Sequence, residues 1–269
     1  MIEKTVGIVL RVAPFSRTSH VVVWFTPDFG KITTIVKGAL RVKSAFLGQY
    51  DLFYRCELLF YSRDRNGAHI MRECSPIDTR TALRHDWRAA VCASYSCDLV
   101  SRMAPPNSSS IQFFNLLETS LAFLCTGVKS RSFVSWFELR TMEAAGYSPM
   151  LTNCSKCGNP LNAVEAEARF SCASGGAMCR PCADSGADRA MIVTPAALAT
   201  MQEWQKTDSP ERAANTECTL KQLMEIERIF GMFLDYHVQA LPTGRSVALE
   251  LLPQKWHPAA QEHRSPIPR

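Results

Sequence analysis

At about residue 78 the hydrophobic pattern of this chain changes period, and that change limits what it can fold into. Before it, the runs TVGIVLRV, HVVVWFT, KITTIVKG, YDLFYRCELLFY and AHIMREC are rich in Val, Ile, Phe and Tyr and are separated by Gly, Pro or Asp. Such runs form strands because β-branched and aromatic side chains pack well on a pleated surface. The segment TPDFGK, with Pro27, Asp28 and Gly30 between two runs, has the chemistry of a hairpin turn. Five strands in about seventy residues suit a small barrel of the OB type, closed to remove its edges, with an SH3-like barrel as the alternative.

After SPIDT the period becomes helical. Leu83, Trp87, Val91, Tyr95, Leu99 and Met103 recur every four residues, Phe114, Leu117, Leu121 and Leu124 every three or four, and Phe133, Trp136, Phe137 and Leu139 begin another stripe. Breaks fall at APPNSSS and GVKS. A later stripe of Leu220, Leu223, Ile226, Phe230 and Leu234 places Glu225, Glu227 and Arg228 toward water. These stripes predict one packed helical bundle. The stretch from Leu241 holds five prolines and no sustained period, so its last fifteen residues or so are expected to be mobile.

Within the helical part, Cys154 and Cys157 form one Cys-x-x-Cys pair and Cys179 and Cys182 a second. A Cys-x-x-Cys turn lets two sulfurs reach one ion, and two such turns complete a tetrahedron. With four protein ligands no coordination position is left for water, so a zinc ion there, one per chain, is structural. The intervening segment is too short and polar for a core of its own, which is what a metal remedies. No His lies between 151 and 190, which disfavours a mixed site, and Cys172 is a spare thiol. Cys56, Cys74, Cys92, Cys97, Cys125 and Cys218 stand singly in apolar or helical surroundings and read as small core residues. An odd total of eleven cysteines without an export signal indicates reduced thiols.

The chain is therefore read as α+β, in five parts. An OB-fold barrel over 1–78 is followed by a helical domain over 79–150 and 191–240, a four-cysteine zinc finger inserted at 151–190, and a tail over 241–269. The N-terminus MIEKTVGIVLRV suits neither a signal peptide nor a membrane span, so a cytoplasmic location and no membrane partner are expected.

Net charge is only +5, but its distribution is uneven. Between Lys4 and Phe46 the basic residues Lys4, Arg11, Arg17, Lys31, Lys37, Arg41 and Lys43 face one acid, Asp28. Beyond residue 191 the two signs nearly balance. A polyanion would bind the barrel, where VKGALRVKSA presents Lys37, Arg41 and Lys43 and FSRTSH presents Arg17. Phe15, Phe29, Phe46 and Tyr50 are candidates for stacking on bases or for the core. A phosphate-binding G-x-x-x-x-G-K-[ST] loop, H-E-x-x-H, H-x-E and G-x-S-x-G are all missing and the six histidines are scattered, so no enzyme is expected. A non-catalytic module that bridges proteins through barrel and finger is the alternative to DNA binding.

The order of parts, GIVLRVAPFSRTSHVVVWFTPDFGKITTIVKGALRVKS, then FELRTMEAAGYSPMLTNCSKCGNPL, then CRPC, resembles the bacterial RecO family of DNA repair proteins. The resemblance implies a recombination mediator that binds single- and double-stranded DNA, anneals complementary strands and helps load RecA, usually with RecR, on strands coated by the single-stranded-DNA-binding protein, placing it on the nucleoid. It also implies capture of that coat protein's acidic C-terminal tail by the helical domain. By position, the family's basic barrel residues fall on Lys37 and Arg41, with Lys43 and Arg17 nearby, and Arg131 and Arg140 are candidates for the tail. Some members lack the cysteines; this chain keeps all four.

Overall fold

The computed structural model describes residues 1–63, 67–105, 108–127, 130–161, 168–185, 190–238 and 242–252. Strands β1 (Ile2–Ser16), β2 (Ser19–Thr26), β3 (Gly30–Val36), β4 (Arg55–Tyr61) and β5 (His69–Asp78) close into a barrel in the order β1-β2-β3-β5-β4. All pairings are antiparallel except β3 with β5, where Thr34 and Ile35 meet His69 and Ile70 in parallel. This is a closed five-stranded barrel of the OB type, as expected from the strand spacing. The fourth strand begins at Arg55 rather than at Tyr50, because Phe53 takes a left-handed φ of 69° and Tyr54 N–H turns back to the Asp51 carbonyl.

Barrel residues are buried on two sides. Val9, Val22, Trp24, Ile32, Val36, Leu58, Phe60 and Met71 fill the interior, while Ile8, Leu10, Phe25 and Phe53 point outward into a core shared with the helices. Two-sided burial explains why GIVL in β1 is continuously apolar instead of alternating. Inside, Trp24 Nε1 donates to Thr34 Oγ1 at 2.9 Å, so the one polar atom of that ring is satisfied. The β2–β3 hairpin turns through Gly30 at φ 63°, and a Cβ there would lie 2.1 Å from the Ser108 carbonyl oxygen. Glycine is required both by the turn and by the close approach of the helical domain.

The helical domain opens with α1 (Ala82–His85), α2 (Trp87–Met103), α3 (Ile111–Cys125) and α4 (Arg131–Ala144). Asp86, Ser110 and Ser130 cap α2, α3 and α4 by accepting first-turn N–H groups. The four-residue stripe expected on α2 is only partly right. Trp87 is 53 % exposed, while Ala89, Cys92, Ala93, Ser96 and Cys97 are buried beside Tyr95 and Leu99. The reason is that α2 is covered by β1, α3, α4 and a later helix together, which spreads burial around its circumference.

The chain then forms a small sheet, ordered β7-β6-β8, from β6 (Ala168–Ser171), β7 (Gly176–Met178) and β8 (Met191–Val193), with the one-and-a-half-turn helix α5 (Arg180–Asp184) after β7. It returns to the bundle through α6 (Pro195–Lys206), α7 (Pro210–Asn215) and α8 (Leu220–Val238). A further helix, α9 (Gly244–Leu251), lies in the stretch that shows no sustained period, and it packs on α2 and α4 through Ala248 and Leu249. The mobility expected of the final residues falls on 253–269, outside the described residues.

On α8 the outward placement of the acids also needs correction. Arg228 is exposed, but Glu227 is buried under Arg131, and Glu225 accepts hydrogen bonds from Thr194 N–H at 2.6 Å and Thr194 Oγ1 at 3.0 Å. Helices α4 and α6 both pack on α8, so its apolar stripe does not mark its full buried width.

Barrel and helices are joined at a charged corner. Arg80, buried and left-handed at φ 44°, donates to the Phe53 carbonyl and, at 2.6 Å, to Glu118 on α3. Arg55 reaches the other Glu118 oxygen at 3.3 Å.

Candidate metal centre and nucleic-acid face

The four cysteines read as a metal site converge. Ligand sulfurs of Cys154, Cys157, Cys179 and Cys182 all lie within 4.8 Å of one another. Gly158 at φ 75° lets the first pair turn back on itself, with Gly158 N–H bonded to the Cys154 carbonyl at 2.9 Å. The second pair spans the start of α5, whose Pro181 suits the first turn and whose Ala183 N–H bonds to the Cys179 carbonyl at 3.1 Å. Cys157 and Cys179 sulfurs are 3.8 Å apart, which is about the 3.8 Å edge of a tetrahedron with zinc–sulfur bonds of about 2.3 Å.

The electrostatics suit thiolate ligands. Burial would push the Cys154 thiol up, but N–H groups of Cys157, Cys179 and Lys156 outweigh it and bring it down to about 6. The Cys182 thiol, hydrogen-bonded to Cys179 and Cys157, is pushed up to about 12. A metal ion bound by these sulfurs would replace their protons. Cys172 lies outside the cluster, in the β6–β7 turn, and its thiol is pushed up by burial.

This centre is rooted in the bundle. Ser155 N–H bonds to the Ala177 carbonyl at 2.9 Å, Gln202 on α6 donates to the Leu151 carbonyl at 2.8 Å, and Phe170 of β6 meets Phe233 of α8 edge-on at 5.5 Å. A metal bound here would hold the sheet in a shape that α6 and α8 can bind.

The four cations assigned to DNA also come together at one end of the barrel. Lys37, Arg41, Lys43 and Arg17 are all exposed and none is ion-paired among the described residues. Leu40 N–H bonds to the Thr18 carbonyl at 3.1 Å, which ties the β3–β4 connection carrying three of them to the β1–β2 hairpin carrying Arg17. The other three cations of this region are elsewhere: Lys4 pairs with Glu57 at 2.9 Å, Lys31 donates to the Ser101 carbonyl on α2, where burial lowers its pKa, and Arg11 lines a cleft with Lys31 and Asp98. Asp28, the single acid, sits at the opposite end of β2 and accepts from Thr5.

Of the four aromatic candidates, only Phe15 is exposed. Phe29 meets Phe60 edge-on at 5.7 Å, Tyr50 bonds to His20 at 2.8 Å, and both pack with Phe46 on the barrel interior. The apolar side chains displayed on this connection are instead Leu40, Val42 and Leu47. The available signal was Leu40 and Val42 beside Gly38 and among Lys37, Arg41 and Lys43, apolar residues in a run too short and too charged to continue the third strand.

Arg131 and Arg140 both have internal partners. Arg131 grips Glu227 with two nitrogens, Nε at 2.8 Å, and burial raises the Glu227 pKa while Arg131 opposes the rise. Arg140 bonds to Glu143 at 2.5 Å, to the Gln205 carbonyl at 3.1 Å and to the exposed Asp208. It lines a cleft of about 410 Å³ with Gln112, Trp136, Glu143 and Asp208.

Residues 1–80 match the sequence model of the family described as Recombination protein O N terminal, and residues 84–246 match that described as Recombination protein O C terminal. The chain belongs to the RecO family. It is 31 % identical over 180 residues to the DNA repair protein RecO of Syntrophus aciditrophicus, covering 67 % of this chain and 69 % of the relative. It is 29 % identical over 238 residues to the RecO of Anaeromyxobacter sp. strain K, covering 87 % and 91 %, and 33 % identical over 184 residues to that of Alkaliphilus metalliredigens, covering 68 % and 72 %. The RecO models meet at residues 80–84, where Arg80 binds Glu118. Among the described residues no helix is long and apolar enough to cross a membrane.

Proposed function

We propose that this RecO-family protein is a non-catalytic recombination mediator. It binds single- and double-stranded DNA through the cationic end of its barrel, anneals complementary strands and, with RecR, assists RecA on strands coated by the single-stranded-DNA-binding protein, working on the nucleoid in the cytoplasm. The observation that carries this reading is the bond between Leu40 and Thr18, which gathers Arg17, Lys37, Arg41 and Lys43 into one exposed cationic rim. Annealing needs no bond chemistry: the cations lower the repulsion between two strands, and base pairing supplies the free energy.

The ion in the Cys154, Cys157, Cys179 and Cys182 cluster is zinc, in a structural role. For the acidic tail of the coat protein, Arg140 is better placed than Arg131. It borders an open cleft and its partner Asp208 is solvent-exposed, so a tail carboxylate can exchange with Asp208, whereas Arg131 is locked to a buried carboxylate. Tail capture would bring the mediator to its coated strand and raise the local concentration of the rim there.

The test is fluorescence anisotropy with a labelled single strand across a salt series. Four phosphate contacts give a slope of log affinity on log salt of about −2.8. A flat slope, with tight binding to an acidic peptide instead, would overturn the DNA reading.

A further inference from the structure

The segment between β3 and β4 presents an unusual surface. Val42 is 94 % exposed, Leu47 70 % and Leu40 52 %, and all three stand among Lys37, Arg41 and Lys43. Phe15, at the end of β1 and 57 % exposed, adds an aromatic ring beside Arg17. Isolated exposed aliphatic residues are ordinary on a protein surface. Three within eight residues, in a connection with no period to hide them, call for a physical cause.

Looseness is not that cause, because the segment is braced throughout. Successive tight turns bond Arg41 N–H to the Gly38 carbonyl at 3.1 Å, Ser44 N–H to Arg41 at 3.0 Å, Leu47 N–H to Ser44 at 3.3 Å and Gln49 N–H to Phe46 at 3.2 Å. Ala39 and Phe46 point down into the barrel core, and the thiols of Cys56 and Cys74 both donate to the Gln49 carbonyl, at 3.5 and 3.6 Å. The inward positions of the segment are filled and its main chain is tied to the barrel wall. Leu40, Val42 and Leu47 are what that arrangement leaves outside, at fixed places and with little ordering entropy left to lose on contact.

We infer that Leu40, Val42 and Leu47 form an apolar platform for the faces of unstacked bases, so that the rim discriminates single strands from duplex. This rests on the DNA reading above and adds to it a mode of contact and a strand preference. Cations beside the platform meet phosphates, which both strand types offer; the aliphatic tips meet base faces, which only an unpaired, unstacked strand offers. Charge complementarity selects this occupant: Arg41 and Lys43 stand within the platform, Lys37 precedes it and no acid lies between Phe29 and Tyr50. For annealing, a platform that holds bases unstacked and releases them on pairing keeps them available to the complementary strand.

The two contributions separate in a salt series, because cations set the slope and apolar contacts set the affinity that remains when the line is extended to high salt. Full-length wild type and a Leu40→Ser, Val42→Ser, Leu47→Ser variant are titrated against a 2-aminopurine-labelled single strand and the matching duplex. The expected result is an unchanged slope, a loss of at least about tenfold in single-strand affinity at every salt concentration, unchanged duplex affinity and a smaller 2-aminopurine fluorescence rise. Val42→Thr alone, nearly isosteric and at the most exposed site, gives the same direction with a smaller size and guards against misfolding of the triple variant. Wild-type affinities in both variants, or equal losses on single strand and duplex, would overturn the platform. So would a change in sedimentation or in binding to anionic vesicles with DNA binding intact, since the tips would then serve a second copy or a membrane. A wild-type protein with no salt-dependent DNA binding is a different failure, that of the DNA reading itself.

Discussion

Glu138, wholly buried on α4, is held by Arg245 of α9 through two hydrogen bonds, from Nε at 2.7 Å and from Nη2 at 2.9 Å. The Tyr95 hydroxyl donates to the same carboxylate at 2.6 Å, and Arg245 also donates to the Glu227 carbonyl at 2.7 Å. Burial would lower the Arg245 pKa, but the Glu138 carboxylate overrides this and raises it, while burial and the nearby carboxylate raise that of Tyr95. This charged anchor adds to the apolar contacts that Ala248 and Leu249 of α9 make with the bundle. Arg245→Met leaves a carboxylate buried without its counter-charge and is expected to cost about 3–5 kcal/mol. The urea unfolding midpoint measures the loss, and adding Glu138→Gln to the same chain should recover part of it.

Metal removal should act locally. Chelation of the Cys154, Cys157, Cys179 and Cys182 centre is expected to release one zinc per chain, measured by native mass spectrometry, and to lose the amide protection of β6 and β7 in hydrogen exchange. Salt-dependent DNA binding should persist, because the barrel has its own interior core. Loss of DNA affinity in step with zinc would show that the finger touches DNA.

Removing three cations should change the slope. Lys37, Arg41 and Lys43 changed together to Ala are expected to take the single-strand salt slope from about −2.8 to about −0.7 and to weaken duplex binding in parallel. Their exposure means that thermal stability should stay within about 0.5 kcal/mol of wild type. An unchanged slope would place the binding face elsewhere on the molecule.

His237 should make stability depend on pH. It stacks on Tyr147 at 4.5 Å, meets Phe233 edge-on at 4.4 Å and Tyr236 at 5.1 Å, and its Nε2 is buried without a hydrogen-bond partner. Burial lowers its pKa from the ordinary value of 6.5. The unfolded chain therefore binds this proton more readily, so the contribution is fully present above the unfolded value and is lost as pH falls through the lower, folded one. Relative to His237→Phe, wild type is expected to lose stability as pH falls below the ordinary histidine value. Parallel stability curves for the two proteins would contradict this.

Replacing Glu118 should loosen the barrel from the helices. Glu118→Gln takes the charge from the partner of buried Arg80 and of Arg55, and is expected to destabilise the fold by about 3 kcal/mol. Differential scanning calorimetry is expected to show the barrel of the variant melting earlier than the helical domain, and wild type melting in a single transition.

What the sequence alone determined is local in origin. Strand composition and turn residues specify the barrel strands, because a β-branched run between Gly and Pro turns has few other stable forms. The paired Cys-x-x-Cys spacing specifies the sulfur cluster, since two residues between cysteines already bring their sulfurs within reach of one ion. The cations of the rim were likewise legible as residues. Tertiary structure alone decided which side of each element is buried and by what. It put Trp87 outside and Cys92 inside because α2 has neighbours on several sides, drew Glu227 and Glu138 inward because arginines from distant helices reach them, and removed Lys4 and Lys31 from the rim through Glu57 and Ser101. It also left Leu40, Val42 and Leu47 on the surface while Phe46 and Ala39 took the core. Periodicity reports how apolar residues are arranged along one element; burial is a property of the contacts that several elements make together.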